Sequence, residues 1–409
     1  MLFKTQAVYW FLSLVARPAY LWTRTPGIGE TMYDYRMATI GYESIILDAL
    51  PVAALGCWTV AIGVVCGALI ASNRPGSSRK VVPPSGPNPE VLWVLLGLMW
   101  ILRIAVLSGV GFVPGFLYGI TNFGAAAFVL FYKRSGAQSS TWVLVAVGIG
   151  EVAWSVLALS KTPVLSIVLA VAIRLVIERG AKFVAKLAPA LVVLVLVTFG
   201  VLQPLRGIDT ASHAVASGQA PLEGVAVSVI ERADTFAPIV DALLYPYPPW
   251  LGAEEFIESA VTGLLPLGLH DPVGLRWTRE VRTEAHLSFQ YQDVSLAQGT
   301  TAEGYVQAGA LGVILENLAL VFATLAVSRL ALSDKPGVAI AGAAMVFDSS
   351  MYEGGMLSVL EGCAVALSYG FLTYILSLWF RVSQRRHDRP SSRYRFGARI
   401  DRGKQRRNP

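Results

Sequence analysis

Residues 91–108 read VLWVLLGLMWILRIAVLS, and one charged residue, Arg103, interrupts this apolar run. A bilayer core about 30 Å thick is crossed by roughly 20 mostly apolar helical residues. Similar runs occupy about 50–71, 113–132, 141–158, 162–178, 184–203, 304–328, 337–350 and 356–380. With a less regular segment at 5–22, they predict an all-α polytopic membrane protein of about ten transmembrane helices.

The composition agrees with this prediction. Of the 409 residues, 54% are hydrophobic and only 15% are charged, whereas an average soluble chain has roughly 25% charged residues. A soluble chain of this length would need several domains with well-charged surfaces. The composition therefore excludes a secreted domain, a cytosolic enzyme and a disordered scaffold.

The placement of positive charge predicts the orientation. Lys and Arg are concentrated in the connections 72–90, 133–140, 179–186 and 329–336, and these alternate with nearly uncharged connections. The segment 381–409 adds eleven Lys and Arg residues against two Asp. Because cytoplasmic loops carry the excess of basic residues, we expect these segments to be cytoplasmic. The predicted regions are N-terminal helices 1–203, an extracytoplasmic loop 204–303, C-terminal helices 304–380 and a basic cytoplasmic tail 381–409.

The long loop has features of a functional segment, because connections of about 100 residues are uncommon and usually functional. Residues 204–293 contain twelve Asp and Glu residues, five Arg and no Lys. Apolar residues at helical spacing predict a helix within 221–244, broken by Pro238, and a second short helix over 252–262. The stretch 245–250, YPYPPW, cannot be regular helix because it is rich in proline.

Ionisable residues inside transmembrane segments are costly and usually face a polar cavity or one another. Two interpretations stay open: Arg103, Glu151 and Asp348 form ion pairs that fasten helices together, or the ionisable residues line a polar chamber on the side of the loop. These residues are Arg103, Glu151, Arg174, Glu316, Asp348 and Glu361.

Two short motifs resemble a known family. Residues 303–314, EGYVQAGALGVI, follow the long loop, and residues 159–165, LSKTPVL, form a short basic turn between two helices. Together with the layout of helices and loop, they resemble bacterial O-antigen (Wzy-type) polysaccharide polymerases and the related O-antigen ligases. In that family an acidic residue, an aromatic residue, an amide and two spaced glycines open the helix after the large periplasmic loop.

The resemblance implies a glycosyltransferase at the outer face of a bacterial plasma membrane. Its substrates would be undecaprenyl-pyrophosphate-linked oligosaccharides, and membrane lipids and other polysaccharide-assembly proteins would be its further partners. No nucleotide or metal cofactor and no nucleic acid is expected. Arginine suits the leaving pyrophosphate because its planar fork binds two oxygens at once, and a base would activate the attacking hydroxyl.

This chemistry selects the candidate residues. The expected catalytic residues are Arg232, His286 and Glu303. The expected substrate-binding residues are Lys161, Arg206, Arg276, Arg279 and Tyr305. For each arginine a surface ion pair is the structural alternative, and for Glu303 it is a role at a helix terminus, where the helix dipole favours an acidic side chain.

Three other functions stay open. An O-antigen-ligase-like enzyme would use the same donor with a separate acceptor. A polysaccharide transporter or flippase would carry internally repeated helix sets, and no such repeat is visible in the sequence. A non-catalytic membrane scaffold would need none of the loop arginines for glycan length.

Overall fold

The structure of the chain is a computed structural model. It describes residues 9–16, 19, 42–72, 87–108, 117–132, 137–158, 160, 162–205, 235–263, 271–285, 298–348 and 350–387. All regular secondary structure within these ranges is helical. The predicted all-α class is therefore confirmed for the described part of the chain.

Twelve helices are used below, and the names follow the order of the chain. The first six are α1 (Tyr42–Ser72), α2 (Pro89–Leu107), α3 (Tyr118–Phe131), α4 (Ala137–Leu157), α5 (Thr162–Arg179) and α6 (Ala181–Leu205). Between the predicted membrane segments lie α7 (Ala237–Leu244), α8 (Ala253–Gly263) and α9 (273–285, whose middle part Trp277–Arg282 is π-helical). The last are α10 (Gly299–Leu330), α11 (Pro336–Phe347) and α12 (Met356–His387).

Within the described ranges, four helical segments are long and apolar enough to cross a membrane. They are Leu47–Leu69, Pro89–Leu107, Gly299–Leu330 and Met356–Ser383. Large apolar side chains on these helices are exposed, as Trp58, Phe322 and Phe371 illustrate. Exposed apolar surface of this extent is stable in lipid and not in water, so the chain is a helical membrane protein.

The described helices enclose two hydrophobic cores. The first lies among α2, α3, α5, α11, α12 and the C-terminal part of α10. The second combines α1, the start of α10 and the start of α12 with the loop helices α7 and α9. The described loop helices are therefore packed into the helical body at one end of it. The boundaries 204 and 303 of the loop region stay predictions.

A buried ion pair joins α2 to α4. The two terminal guanidinium nitrogens of Arg103 donate to the carboxylate of Glu151, with one N–O distance of 3.0 Å, and both side chains are almost fully buried. The rings of Trp100 and Trp154 lie 5.4 and 5.0 Å from the guanidinium carbon. For this pair the fastening interpretation is correct.

Arg174 also fastens helices, in a different way. Its guanidinium donates to the backbone carbonyls of Val129 and Tyr132, at 2.7 and 2.9 Å, and to Glu178 on its own helix at 2.8 Å. The carbonyls at the end of α3 have no partner within their own helix. Arg174 therefore caps α3 from α5.

Candidate functional site

Helix α10 contains a chain reversal inside the motif that carries the family resemblance. Ala308 and Gly309 leave helical geometry, with φ −149° and ψ 26° at the first and φ 58° and ψ −141° at the second. A positive φ is readily adopted by glycine and rarely by other residues. The prediction of one continuous helix over 304–328 is wrong at this point. The backbone turns at Ala308 and Gly309, which the prediction placed inside the helix.

The reversal folds α10 into a helical hairpin. Its short arm is 299–307 and its long arm is 310–330. In a straight helix Thr300 and Asn317 would be about 25 Å apart, yet the hydroxyl of Thr300 donates to Oδ1 of Asn317 at 2.9 Å. The long arm is about 31 Å long and can cross a bilayer core, whereas the short arm, about 13 Å, cannot.

Two glycines bring the arms into backbone contact. A Cβ atom on Gly304 would lie 2.5 Å from the carbonyl oxygen of Gly312, and a Cβ on Gly312 would overlap Gly304. Asn317, which is fully buried, also donates to Thr301. The spaced glycines of the motif are therefore required by close packing of the two arms.

Glu303 lies on the short arm and is fully buried. Its Oε1 accepts the backbone N–H of Leu357 at 3.0 Å, and its Oε2 accepts the side-chain amide of Gln298 at 3.2 Å. Leu357 is in the first turn of α12, where backbone N–H groups have no helical partner. The carboxylate of Glu303 therefore caps α12 and joins the short arm to it.

Glu316 lies beside Glu303 on the long arm. The two carboxyl groups face one another across the hairpin. Glu316 is 8% exposed, and its Oε2 has no hydrogen-bond partner within the described residues. At 1.5 Å per residue, Glu316 lies about 9 Å from the start of the long arm and about 21 Å from its end. The two carboxyl groups are thus in the half of the hairpin nearest its turn.

A buried ion pair holds the loop helices together. Arg282 of α9 binds Asp241 of α7 at 2.8 Å, and each side chain is 1% exposed. The indole N–H of Trp277 also donates to Asp241, at 3.4 Å. Residues 237–242 of α7 are buried without exception. Helices α7 and α9 thus form a joined support next to the hairpin.

Aromatic and acidic side chains together with one arginine lie beside this support, with Trp250 buried at 6% exposure and Tyr247 at the surface. We call Tyr245, Tyr247, Trp250, Arg276 and Glu280 the aromatic–acidic surface. Glu280 accepts the indole N–H of Trp250 at 2.7 Å and Nε of Arg276 at 3.1 Å. The guanidinium carbon of Arg276 lies 5.8 Å from the centre of the Trp250 ring, and Tyr247 is 66% exposed. Burial, followed by the charge of Glu280, raises the pKa of Tyr245.

The aromatic–acidic surface is connected to the turn of the hairpin. The backbone N–H of Trp250 donates to the carbonyl of Val306, and the N–H of Leu251 donates to Oε1 of Gln307, both at 3.4 Å. The amide nitrogen of Gln307 is buried and has no partner within the described residues. Gln307 therefore offers a free donor where the loop meets the hairpin.

Four of the eight predicted site residues lie in the described part of the chain. Glu303 is buried in the hairpin, and Tyr305 is half-buried beside the second core. Arg276 binds Glu280, and Arg279 binds Asp271 at 2.8 Å on the exposed side of α9. The other predicted residues lie outside the described part of the chain: Arg232, His286, Lys161 and Arg206.

The spacing of the three α9 arginines is misleading in the sequence. Their i, i+3, i+6 spacing suggests either one cationic stripe or one solvated face. Instead, each arginine pairs with a different carboxylate, and Arg282 is buried. Sequence reasoning also did not single out Glu280, Gln307 or Asn317 as site residues. Of these three residues, only Gln307 could have been found from the sequence, because it is the amide residue of the motif 303–314.

Comparison with protein-family models, with curated proteins and with solved structures gave no match.

Proposed function

We propose that the chain is a membrane glycosyltransferase of the O-antigen-polymerase type. In this proposal it joins oligosaccharide repeat units carried on undecaprenyl pyrophosphate at the outer face of a bacterial plasma membrane. About ten helices would cross the membrane, with the long loop outside and the basic tail in the cytoplasm.

One observation carries the proposal. The motif that resembles the polymerase family, 303–314, forms the hairpin on which the described loop helices pack. Trp250 and Leu251 contact the end of its short arm, where Gln307 offers a free amide donor. A motif used only to cross the membrane would not need to fold back and bind the loop. The arrangement supports a site at the junction of loop and hairpin.

The chemistry of the aromatic–acidic surface suits a lipid-linked sugar. Aromatic rings with polar groups at their edges bind amphipathic ligands at an interface between apolar and wet surroundings. In the reaction, a hydroxyl of one repeat attacks the anomeric carbon of the other, and undecaprenyl pyrophosphate leaves with the electron pair. The hydroxyl proton passes to a base. Stabilisation of charge on a leaving group is often the largest catalytic contribution, and we assign it to Arg276 and Arg279.

The choice of base follows from exposure, because Glu303 and Glu280 both accept hydrogen bonds in the structure. Glu303 already accepts Leu357 and Gln298 and is fully buried, which favours a positioning role in the hairpin. Glu280 is 41% exposed at its side chain and belongs to the aromatic–acidic surface. We therefore propose Glu280 or the predicted His286 as the base, and Arg232, Lys161, Arg206 and Tyr305 stay candidates for substrate contacts.

The test uses the full chain purified into liposomes and supplied with a panel of undecaprenyl-pyrophosphate oligosaccharides. The proposal expects a ladder of longer glycans without a second acceptor. Arg276→Gln should lower the rate about 10- to 100-fold, because a charge-assisted hydrogen bond contributes roughly 1.5–3 kcal/mol, and Arg276→Lys should be less affected. Arg179→Gln, at the end of α5, is the control and should not change the rate.

Two outcomes of this test contradict the proposal. A folded chain that elongates none of the donors is not a polymerase. Glycan transfer only after a separate acceptor is added would instead support the O-antigen-ligase-like alternative.

A transporter is the second candidate, and the broken helix is the observation that favours it. Discontinuous membrane helices with buried polar groups form substrate sites in many secondary transporters, and α10 combines a break at Gly309 with the buried Glu316. Movement of a lipid-linked oligosaccharide across a proteoliposome without elongation would favour this function over a polymerase.

The proposed orientation has its own test. In a background without the three native cysteines, Gly252→Cys should react with a membrane-impermeant maleimide from outside intact spheroplasts. Leu332→Cys should react only after permeabilisation. Both positions are exposed in the structure. The reverse labelling pattern would place the loop in the cytoplasm and remove the lipid-linked donor from its reach.

A further inference from the structure

A groove lies between the start of α11 and the C-terminal half of α12, away from the hairpin turn. It encloses about 770 Å³. Its floor is formed where the two helices touch, because a Cβ on Gly337 would lie 2.5 Å from the carbonyl oxygen of Gly370. Its volume is within the range of small-molecule sites in proteins.

The wall contributed by α12 is apolar. Leu367, Phe371 and Leu378 line the groove and are 60%, 67% and 39% exposed. They belong to the candidate span Met356–Ser383, so this side of the groove opens toward the bilayer. The occupant that reaches such a groove is a bilayer component with an apolar chain.

One end of the groove is charged. Lys335, next to the start of α11, and Arg381, near the end of the α12 span, both line it. Neither side chain has an ion-pair partner within the described residues, and both are exposed. Asp334 also lines this end, so the three groups leave a net charge of +1. An occupant that satisfies the charged end carries a negative group.

We propose that the groove binds an anionic phospholipid, with its phosphate at Lys335 and Arg381 and an acyl chain along the apolar wall of α12. The charge pattern selects this occupant, since basic pockets between transmembrane helices bind anionic headgroups. Both cations lie at the end of the helices that the sequence assigns to the cytoplasm, where the leaflet is anionic. This inference is independent of the proposed glycosyltransferase activity.

The test compares phosphatidylglycerol with phosphatidylcholine of identical acyl chains. The full chain is released from detergent micelles in a native mass spectrometer, and the fraction with retained lipid is measured during titration. We expect tighter binding of phosphatidylglycerol. The double variant Lys335→Gln/Arg381→Gln should weaken that binding about 10- to 30-fold, as expected for the loss of two basic residues at an anionic surface. Its binding of phosphatidylcholine should stay unchanged.

A matched control removes the same charge elsewhere. Arg179→Gln/Lys182→Gln, between α5 and α6, should keep the wild-type preference, and both double variants should keep the wild-type melting temperature because all four side chains are exposed. Equal loss in the two double variants would overturn the proposal, since the preference would then be a general charge effect. Displacement of the lipid by millimolar inorganic phosphate or glycerol phosphate would also overturn it, because a simple anion site needs no acyl chain.

Discussion

Removal of one partner of the buried Arg103–Glu151 pair should be strongly destabilising. In Glu151→Ala the guanidinium would stay buried among Trp100, Trp154 and the carbonyl of Thr121 without its counter-charge. Two unit charges 3.0 Å apart attract one another by about 5–6 kcal/mol at an effective dielectric constant of about 20. Measured costs of breaking buried pairs are about 3–5 kcal/mol, and we expect this range.

The double variant separates the pair from the packing around it. Replacement of both partners by apolar residues of similar volume is often neutral or stabilising, so Arg103→Met/Glu151→Met should recover most of the stability lost in Glu151→Ala. The assay is equilibrium unfolding in mixed micelles, followed by tryptophan fluorescence, because Trp100 and Trp154 report on this site. If the double variant is as unstable as Glu151→Ala, the unpaired buried charge is not the cause of the lost stability.

Two further predictions use the same unfolding assay. Gly304→Ala should lower the free energy of unfolding by about 1–3 kcal/mol because the arms of the hairpin would be forced apart. The control Gly97→Ala, with no atom within 4 Å of the added methyl group, should be neutral or slightly stabilising. Equal effects of the two substitutions would contradict the contact between the arms. Asp241→Ala should cost about 3–5 kcal/mol because it leaves a buried arginine without its partner. The control Asp271→Ala, which breaks an exposed ion pair, should cost at most about 1 kcal/mol. Similar losses of stability in Asp241→Ala and Asp271→Ala would show that burial does not decide how much an ion pair contributes.

Several acidic side chains accept hydrogen bonds from backbone N–H groups at the starts of helices. Glu303 accepts an N–H at the start of α12, and Glu361 accepts the N–H of Val273 at the start of α9. Asp348 accepts the N–H of Ser350, which begins the one-turn helix Ser350–Glu353. Carboxylates at these positions satisfy free donors and interact favourably with the helix dipole. Buried acidic residues in this chain therefore need not be catalytic, and mutations at Glu303 should be judged first by protein stability.

The sequence by itself determined the class of the fold and the places of most helices. Long apolar runs can satisfy their backbone groups in lipid only as helices, so α2, α5 and α12 begin within a few residues of their predicted starts. The short helix α8 and the irregular stretch 245–250 were also predictable, because alternating prolines exclude a helix and Gly252 and Gly263 flank a helical pattern.

Only the tertiary structure decided what the motif 303–314 does. Its glycines suggest close packing, but the sequence cannot say against what, because the partner of Gly304 is another part of the same motif. The partners of Arg282 and Glu303 likewise come from α7 and α12, far along the chain. The pattern of apolar and polar residues along a segment reflects whether lipid, water or protein surrounds it. The contacts that form the candidate site depend instead on which segments meet in space.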